Sequence, residues 1–450
     1  MTSPTRASYS QLYTEEQLTR LEREGAVIND AFIRYRTANK LYDNQRIAAQ
    51  EIADAFKDPQ VLNVMAVAPT QSGKTGIMFA CIEELYKSGN VFEDYHIYVI
   101  TGLSSTAWLE QTSRDIPAFI HCNVYHLPYL TTAFVEDIKD KSNVLILIDE
   151  VQVAAKDYQT LLKAFRLAGL MNKANMYSRH VKVVNITATP DGLIYSHKAW
   201  SAAAKRVFIE PGAGYTSCFD LLNEGRVFQA QSNLSGWCYK TKQYACIDEA
   251  LNSIREIKPL IDPSSPRYHI IRTQRGVYQD ATIDNFRQVF MAENNEFSCQ
   301  FIRFDGKVLK ACKTITDIND ILMVEPRVHT FIFIKDMLRC AKRIVKTHLG
   351  VLYERLPQDA ESIDDGCMIQ GLLGRSTGYD DSGKHYCFTN IDTITRYGQL
   401  ISTQFEAQVG WNSKTSRFTN GQLIVKESFG DGGFFDGTKK LAKVDTEDNE

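Results

Sequence analysis

The sequence predicts an α/β protein of two tandem domains, each a mostly parallel sheet flanked by helices. Three observations carry this prediction. Short apolar runs rich in Val and Ile recur between residues 61 and 210 (VLNVMAVA, YHIYVIT, VLILIDE, VKVVNIT, KRVFIE), separated by helix-length stretches. Runs that are apolar on both faces are those of parallel strands covered on both sides. The alternation resumes later with RYHIIRT, SCQFIRFDG, HTFIFIKD, THLGVLYE and HYCFTN. Finally, a chain of 450 residues is too long for one ordinary core.

Taken in order, Thr14 and Gln17 stand at capping-box spacing ahead of EEQLTRLERE, which predicts a helical extension over residues 1–40. A first domain follows over 41–212. The stretch IEPGAGYTS, with Pro211, Gly212 and Gly214, interrupts the pattern, so 213–238 reads as a linker. The second domain spans 239–408, its strands separated by helical segments such as DEALNSIREI. Residues 409–450 form a C-terminal segment whose Gly-rich and then acidic end is expected to be loosely held. No short fixed period repeats, which excludes a solenoid.

Composition narrows the class. Apolar residues make up 44% and charged residues 23%, close to a soluble globular average. A net charge of -3 supplies no global basic field, so any polyanion surface has to be local. Ten cysteines are scattered singly, with no CxxC pair, which argues against a zinc module and for core thiols in a reducing compartment. The N-terminus lacks an apolar signal core, and no run reaches the ~20 apolar residues that span a bilayer. A cytoplasmic or nuclear protein with no membrane partner is expected.

The segment APTQSGKT (68–75) lies between an apolar run and a helix-like stretch. Phosphate binding by a strand, loop and helix needs inward backbone N–H groups, a helix N-terminus and a Lys that reaches the terminal phosphates. Thr70, Gln71, Ser72 and Gly73 form the loop, Lys74 is the cation, and the Thr75 hydroxyl stands where Mg²⁺ is ligated. The pattern normally begins with Gly; here Ala68 takes that place. About 75 residues later VLILIDE ends in Asp149 and Glu150, which puts two carboxylates at the C-terminal edge of a buried strand. Asp149 is the expected Mg²⁺ holder, and Glu150 the group that orients or deprotonates the attacking water. ATP is the expected nucleotide.

DEVQ (149–152) is followed by TATP (187–190) at the end of VKVVNIT. With APTQSGKT, these segments resemble motifs I, II and III of the superfamily 2 helicases, whose second motif is of the DExH or DExD type. The resemblance covers about residues 40–400 and implies two RecA-like domains, ATP hydrolysis and a nucleic-acid partner. It also implies that Gln45 reads adenine and that Thr187 and Thr189 couple hydrolysis to the nucleic acid. YVITGLSSTAWLEQT resembles motif Ia, in which Ser104 and Ser105, with Thr106, donate to a strand backbone or equally cap the helix. MIQGLLGRSTGYD resembles motif VI, implying catalytic roles for Gln370 and for Arg375 as a finger to the γ-phosphate. The Gln-to-Arg spacing is one residue longer than usual, and Gly378 replaces the second Arg. Arg272 and Thr273 fall where motif IV belongs, and Lys335 and Arg339 where motif V belongs, as backbone contacts.

The resemblance implies a nucleic-acid-stimulated ATPase that moves along or unwinds nucleic acid, DNA favoured over RNA. An ATP-gated clamp or sensor without unwinding is the rival. A small-molecule kinase would have no use for TATP and LGR. DEVQ and LLGRSTGYD are similar to segments of compact helicases of phages and large DNA viruses. This resemblance would suit replication, repair or transcription of a viral genome; a monomer is expected.

Overall fold

The computed structural model describes residues 41–87, 96–117, 120–153, 159–190, 201–231, 234–238, 240–274, 276–292, 296–304, 317–335, 337–338, 342–357, 362–380, 384–407, 409–413, 416–419 and 422–425. The chain divides into two compact units between Ala213 and Gly214. The extension expected over 1–40, Arg339 and the end of the C-terminal segment lie outside the described residues.

The first unit holds β1 (Asn63–Val67), β2 (Ile97–Thr101), β3 (Cys122–Tyr125), β4 (Val144–Asp149), β5 (Val181–Thr187) and β6 (Ala204–Phe208). They form one sheet in the order β3-β2-β4-β5-β1-β6, parallel at every pairing. The runs NVMAV, IYVIT and VLILID are buried at every position, as strands covered on both faces must be. Val67 pairs with Thr187, and Asp149 pairs with both Ile186 and Thr101. Four strands therefore end level, and the segments that leave them gather on one edge, where open α/β sheets bind ligands.

Helices α1 (Asp43–Ala55), α2 (Lys74–Lys87), α3 (Thr106–Asp115), α4 (Thr160–Leu167) and α5 (Lys173–Ser178) belong to this unit. Ala48, Ala49, Ile52 and Ala53 bury one face of α1, which packs against α2, and the three alanines let the helices lie close. Toward the β3 edge, Phe134 packs edge-on to Tyr98, with ring centroids 5.6 Å apart.

The second unit contains α6 (Cys218–Asn223), β7 (Val227–Gln229), α7 (Ile247–Arg255), β8 (Tyr268–Arg272), α8 (Val277–Phe290), β9 (Cys299–Phe304), β10 (His329–Ile334), β11 (Leu349–Tyr353), α9 (Asp365–Gln370), α10 (Leu372–Ser376), β12 (Tyr386–Thr389) and α11 (Ile391–Ser402). Its sheet is again wholly parallel, in the order β7-β12-β11-β8-β10-β9. Phe286 and Phe290 of α8 face Phe333 and Phe331 of β10, at 5.3 and 4.6 Å between centroids. Two α/β units of the anticipated tandem type are thus present, each with helices flanking its sheet.

The expected linker over 213–238 is corrected. Ser217 caps α6 through a capping box with Asp220, and β7 pairs with β12 as an edge strand of the second sheet. A three-residue edge strand is too short to leave a periodic signal. Residues at the start of the expected C-terminal segment also belong to the second unit, where Trp411 stacks on Tyr397 and Asn412 N–H donates to Asp365. Among the described residues no helix is long and apolar enough to cross a membrane.

Candidate nucleotide site

The loop after β1 opens with Ala68 N–H donating to Thr187 O at 2.9 Å, which ties it to the end of β5. Ser72 turns back on Pro69, its hydroxyl donating to the Pro69 carbonyl at 2.8 Å. Gln71 and Gly73 take positive φ, 59° and 94°. Gly73 is needed twice: its φ suits a residue without Cβ, and a Cβ there would collide with Gln45 Nε2. Gln45, near the start of α1, accepts from Tyr42 N–H at 3.0 Å and donates to Gly73 O at 2.9 Å. The amide expected to read a base therefore braces the loop in this structure. Thr70 is buried, and Thr75 is half-buried, one residue into α2.

Lys74 Nζ forms an ion pair with Glu150 Oε1. Glu150 is buried and has φ 54°, a left-handed conformation rare for a residue with a side chain, of the kind that concentrates at functional sites. Gln152 Nε2 donates to Glu150 Oε2 at 2.8 Å, and the Thr187 hydroxyl donates to Gln152 Oε1 at 2.7 Å. Thr189 N–H then donates to Thr187 Oγ1 at 3.1 Å. One continuous chain of polar contacts thus joins APTQSGKT, DEVQ and TATP. Gln152, the last residue of DEVQ, is its central member: an amide donates and accepts at once, and here it does both.

Asp149 sits beside this chain. Its Oδ2 accepts from the Trp108 indole N–H at 2.9 Å, and its main-chain carbonyl accepts from the Thr101 hydroxyl, also at 2.9 Å. Its Oδ1 is buried with no hydrogen-bond partner among the described residues. Burial pushes the Asp149 carboxyl up to about 6; the Lys74 ammonium acts in the opposite sense, and the Glu150 carboxylate adds to the rise. A buried carboxylate oxygen without a donor among the described residues has the hard-oxygen chemistry that suits Mg²⁺. The residues present therefore fit that ion.

The residues expected to touch nucleic acid divide. Ser104 and Thr106 are exposed, whereas Ser105 caps α3, its hydroxyl accepting from Trp108 N–H at 3.2 Å. Lys335 is half-buried at the end of β10. Arg272 and Thr273, expected to contact a strand backbone, have partners inside their own unit. Arg272 is ion-paired through Nε with Glu354, and its other nitrogens donate to the carbonyls of Met337 and Leu338. Thr273 directs its hydroxyl to Ile334 O at 3.2 Å. A strand-end basic residue and an internal ion-pair partner look alike until the partner carboxylate is located.

The segment MIQGLLGRSTGYD is broken at Gly371, the position between α9 and α10, where Glu354 Oε2 accepts from Leu372 N–H at 3.0 Å. The break falls inside the stretch that is one residue longer than usual. Gln370 ends α9 and is buried; its carbonyl accepts from Arg375 at 3.0 Å. Arg375 is only 3% exposed and also donates to Lys342 O, so its guanidinium faces carbonyls of its own unit. Gly378 has φ 113° and exchanges two 2.9 Å backbone bonds with Thr216, which explains a glycine where a second Arg was anticipated. Lys346, unremarkable in sequence, donates to the carbonyls of Ser376, Thr377 and Asp380 at 3.1, 2.6 and 2.8 Å and fixes the loop after α10.

No family model matches the chain. An uncharacterized protein of Acanthamoeba polyphaga mimivirus is 24% identical over 330 residues, covering 70% of this chain and 77% of that one. Among solved structures, Dbp5 of S. cerevisiae bound to RNA and ADP BeF3 is 12% identical, with a TM-score of 0.43, covering 78% of this chain and 85% of that one. The DUF1998 helicase MrfA bound to DNA is 12% identical, with a TM-score of 0.44 and coverage of 83% and 53%. The DEAH/RHA helicase HrpB of Escherichia coli is 11% identical, with a TM-score of 0.44 and coverage of 75% and 41%.

Proposed function

We propose that this protein is a nucleic-acid-stimulated ATPase, a helicase or translocase of the superfamily 2 type, with DNA the favoured track. The observation that carries the reading is the polar chain Lys74–Glu150–Gln152–Thr187–Thr189, which joins the three segments that such a motor has to couple. Lys74 binds the terminal phosphates of ATP, which withdraws its ammonium from Glu150. Glu150 then accepts the proton of the attacking water as the β–γ bond breaks to ADP and phosphate. Thr75 and Asp149 would hold Mg²⁺, which when bound would neutralise charge on the phosphate oxygens. Gln152 and Thr187 relay the change at Glu150 toward TATP.

ATP hydrolysis measured at low salt with single- and double-stranded DNA and RNA tests this reading. The expected result is a rate raised by at least one of these polymers and abolished in Lys74→Ala. Hydrolysis at one rate with and without every polymer would remove the coupling. Displacement of a strand from a tailed duplex separates a motor from a clamp.

A further inference from the structure

The loop 102–105 that leaves β2 is tied to Asp149 at both ends. At its start, the Thr101 hydroxyl donates to Asp149 O at 2.9 Å and accepts from Leu103 N–H at 3.3 Å. At its end, Ser105 caps the first turn of α3 through Trp108 N–H, and the indole of the same Trp108 donates to Asp149 Oδ2 at 2.9 Å. Trp108 is buried, so the indole N–H has exchanged water for this one acceptor, and the bond reaches a charged group in a site of low polarity. Ser104 and Thr106, in the same turn, stay exposed. The remaining Asp149 oxygen, Oδ1, is buried with no hydrogen-bond partner among the described residues.

We infer that Trp108 is a positioning residue for Asp149: its indole fixes one carboxylate oxygen so that the other faces the metal, and it transmits displacement of the exposed turn 104–106 to that oxygen. This inference rests on the reading of Asp149 as a metal holder. Contact of a phosphodiester strand with Ser104 and Thr106 shifts the first turn of α3, and Trp108 carries the shift to the carboxylate. The turn and the metal site thereby become two linked sites, each altering the affinity of the other.

The test uses the full chain, Mn²⁺ as the metal, a non-hydrolysable ATP analogue and an oligodeoxythymidylate. Mn²⁺ affinity is read by electron paramagnetic resonance with and without the oligonucleotide. In the natural protein the oligonucleotide is expected to change Mn²⁺ affinity. Trp108→Phe, which keeps the ring and removes the N–H, is expected to weaken Mn²⁺ binding by about 10-fold to 100-fold, as loss of a ligand's supporting partner does, and to abolish the oligonucleotide effect. Trp108→Phe that binds Mn²⁺ as the natural protein does, while Asp149→Ala loses it, overturns the role of the indole. Asp149→Ala that keeps Mn²⁺ overturns the metal reading itself. A second measurement needs no variant: the chain has four tryptophans, and one indole N–H resonance is expected to be broadened by Mn²⁺ and shifted by the oligonucleotide. If no indole signal responds to both, the relay is wrong.

Discussion

At the scale of single residues, the site depends on groups that each satisfy two partners. Thr187 donates to Gln152 and accepts from Thr189 N–H, so Thr187→Val strands two buried polar groups. The expected cost is about 1–3 kcal/mol in urea unfolding, with a fall in ATP hydrolysis at unchanged nucleotide binding. Gly73→Ala introduces strain at a φ of 94° and a collision with Gln45, and should lower stability by at least about 1 kcal/mol. Calorimetry or denaturant titration reads either change. Lys74, Asp149 and Glu150 were legible in sequence because their spacing and the flanking apolar runs leave few other uses for them. Trp108 and Gln152 were not, since an indole on a helix and an amide after a strand acquire a role only when the fold brings an acceptor within 3 Å.

At the scale of elements, the buried strands were readable because burial on both faces imposes one composition along a strand. Elements held by polar contacts were not. Glu354, just beyond β11, binds Arg272 and Leu372 N–H and so fixes β8, β11 and α10 together. Glu354→Ala leaves the Arg272 guanidinium buried and unpaired, at an expected cost of about 3–5 kcal/mol. Replacing both partners with apolar residues of similar volume should cost less, and comparing the urea midpoints of the two variants checks the order. Strands β8 and β10 also carry a histidine pair. Val351 N–H donates to His269 Nδ1, so His269 Nε2 carries the proton and donates to His329 Nδ1 at 3.2 Å, and His329 Nε2 donates to Asp262 O at 3.1 Å. Both rings are neutral in this chain of bonds. Burial holds His269 well below the usual histidine value and lowers His329 as well. Below about pH 6.5 the unfolded chain takes up protons that the folded unit refuses, so stability is full above that pH and declines as pH falls. Urea midpoints followed from about pH 7.5 to about pH 5 should drop, and drop less in His269→Phe.

At the scale of the whole molecule, two parallel α/β units in tandem were legible from the recurrence of apolar runs, whereas the first elements of the second unit were not. The expected linker turned out to carry α6 and the edge strand β7, because Gly and Pro near residue 212 mark a turn but say nothing of what the following chain pairs with. With a net charge of -3, attraction to nucleic acid has to come from local groups. Stimulation of hydrolysis by a polynucleotide should therefore weaken steeply with salt, and a slope near zero in a plot of log affinity against log salt would contradict phosphate contacts. Every larger claim requires that the level edge of β1, β4 and β5 hold a metal-bound triphosphate. Calorimetric titration with a non-hydrolysable ATP analogue, in Mg²⁺ and then in EDTA, tests this most directly. The predicted result is saturable one-site binding that weakens by more than about 10-fold both on metal removal and in folded Lys74→Ala. Binding that is absent, or indifferent to both the metal and the lysine, would contradict it.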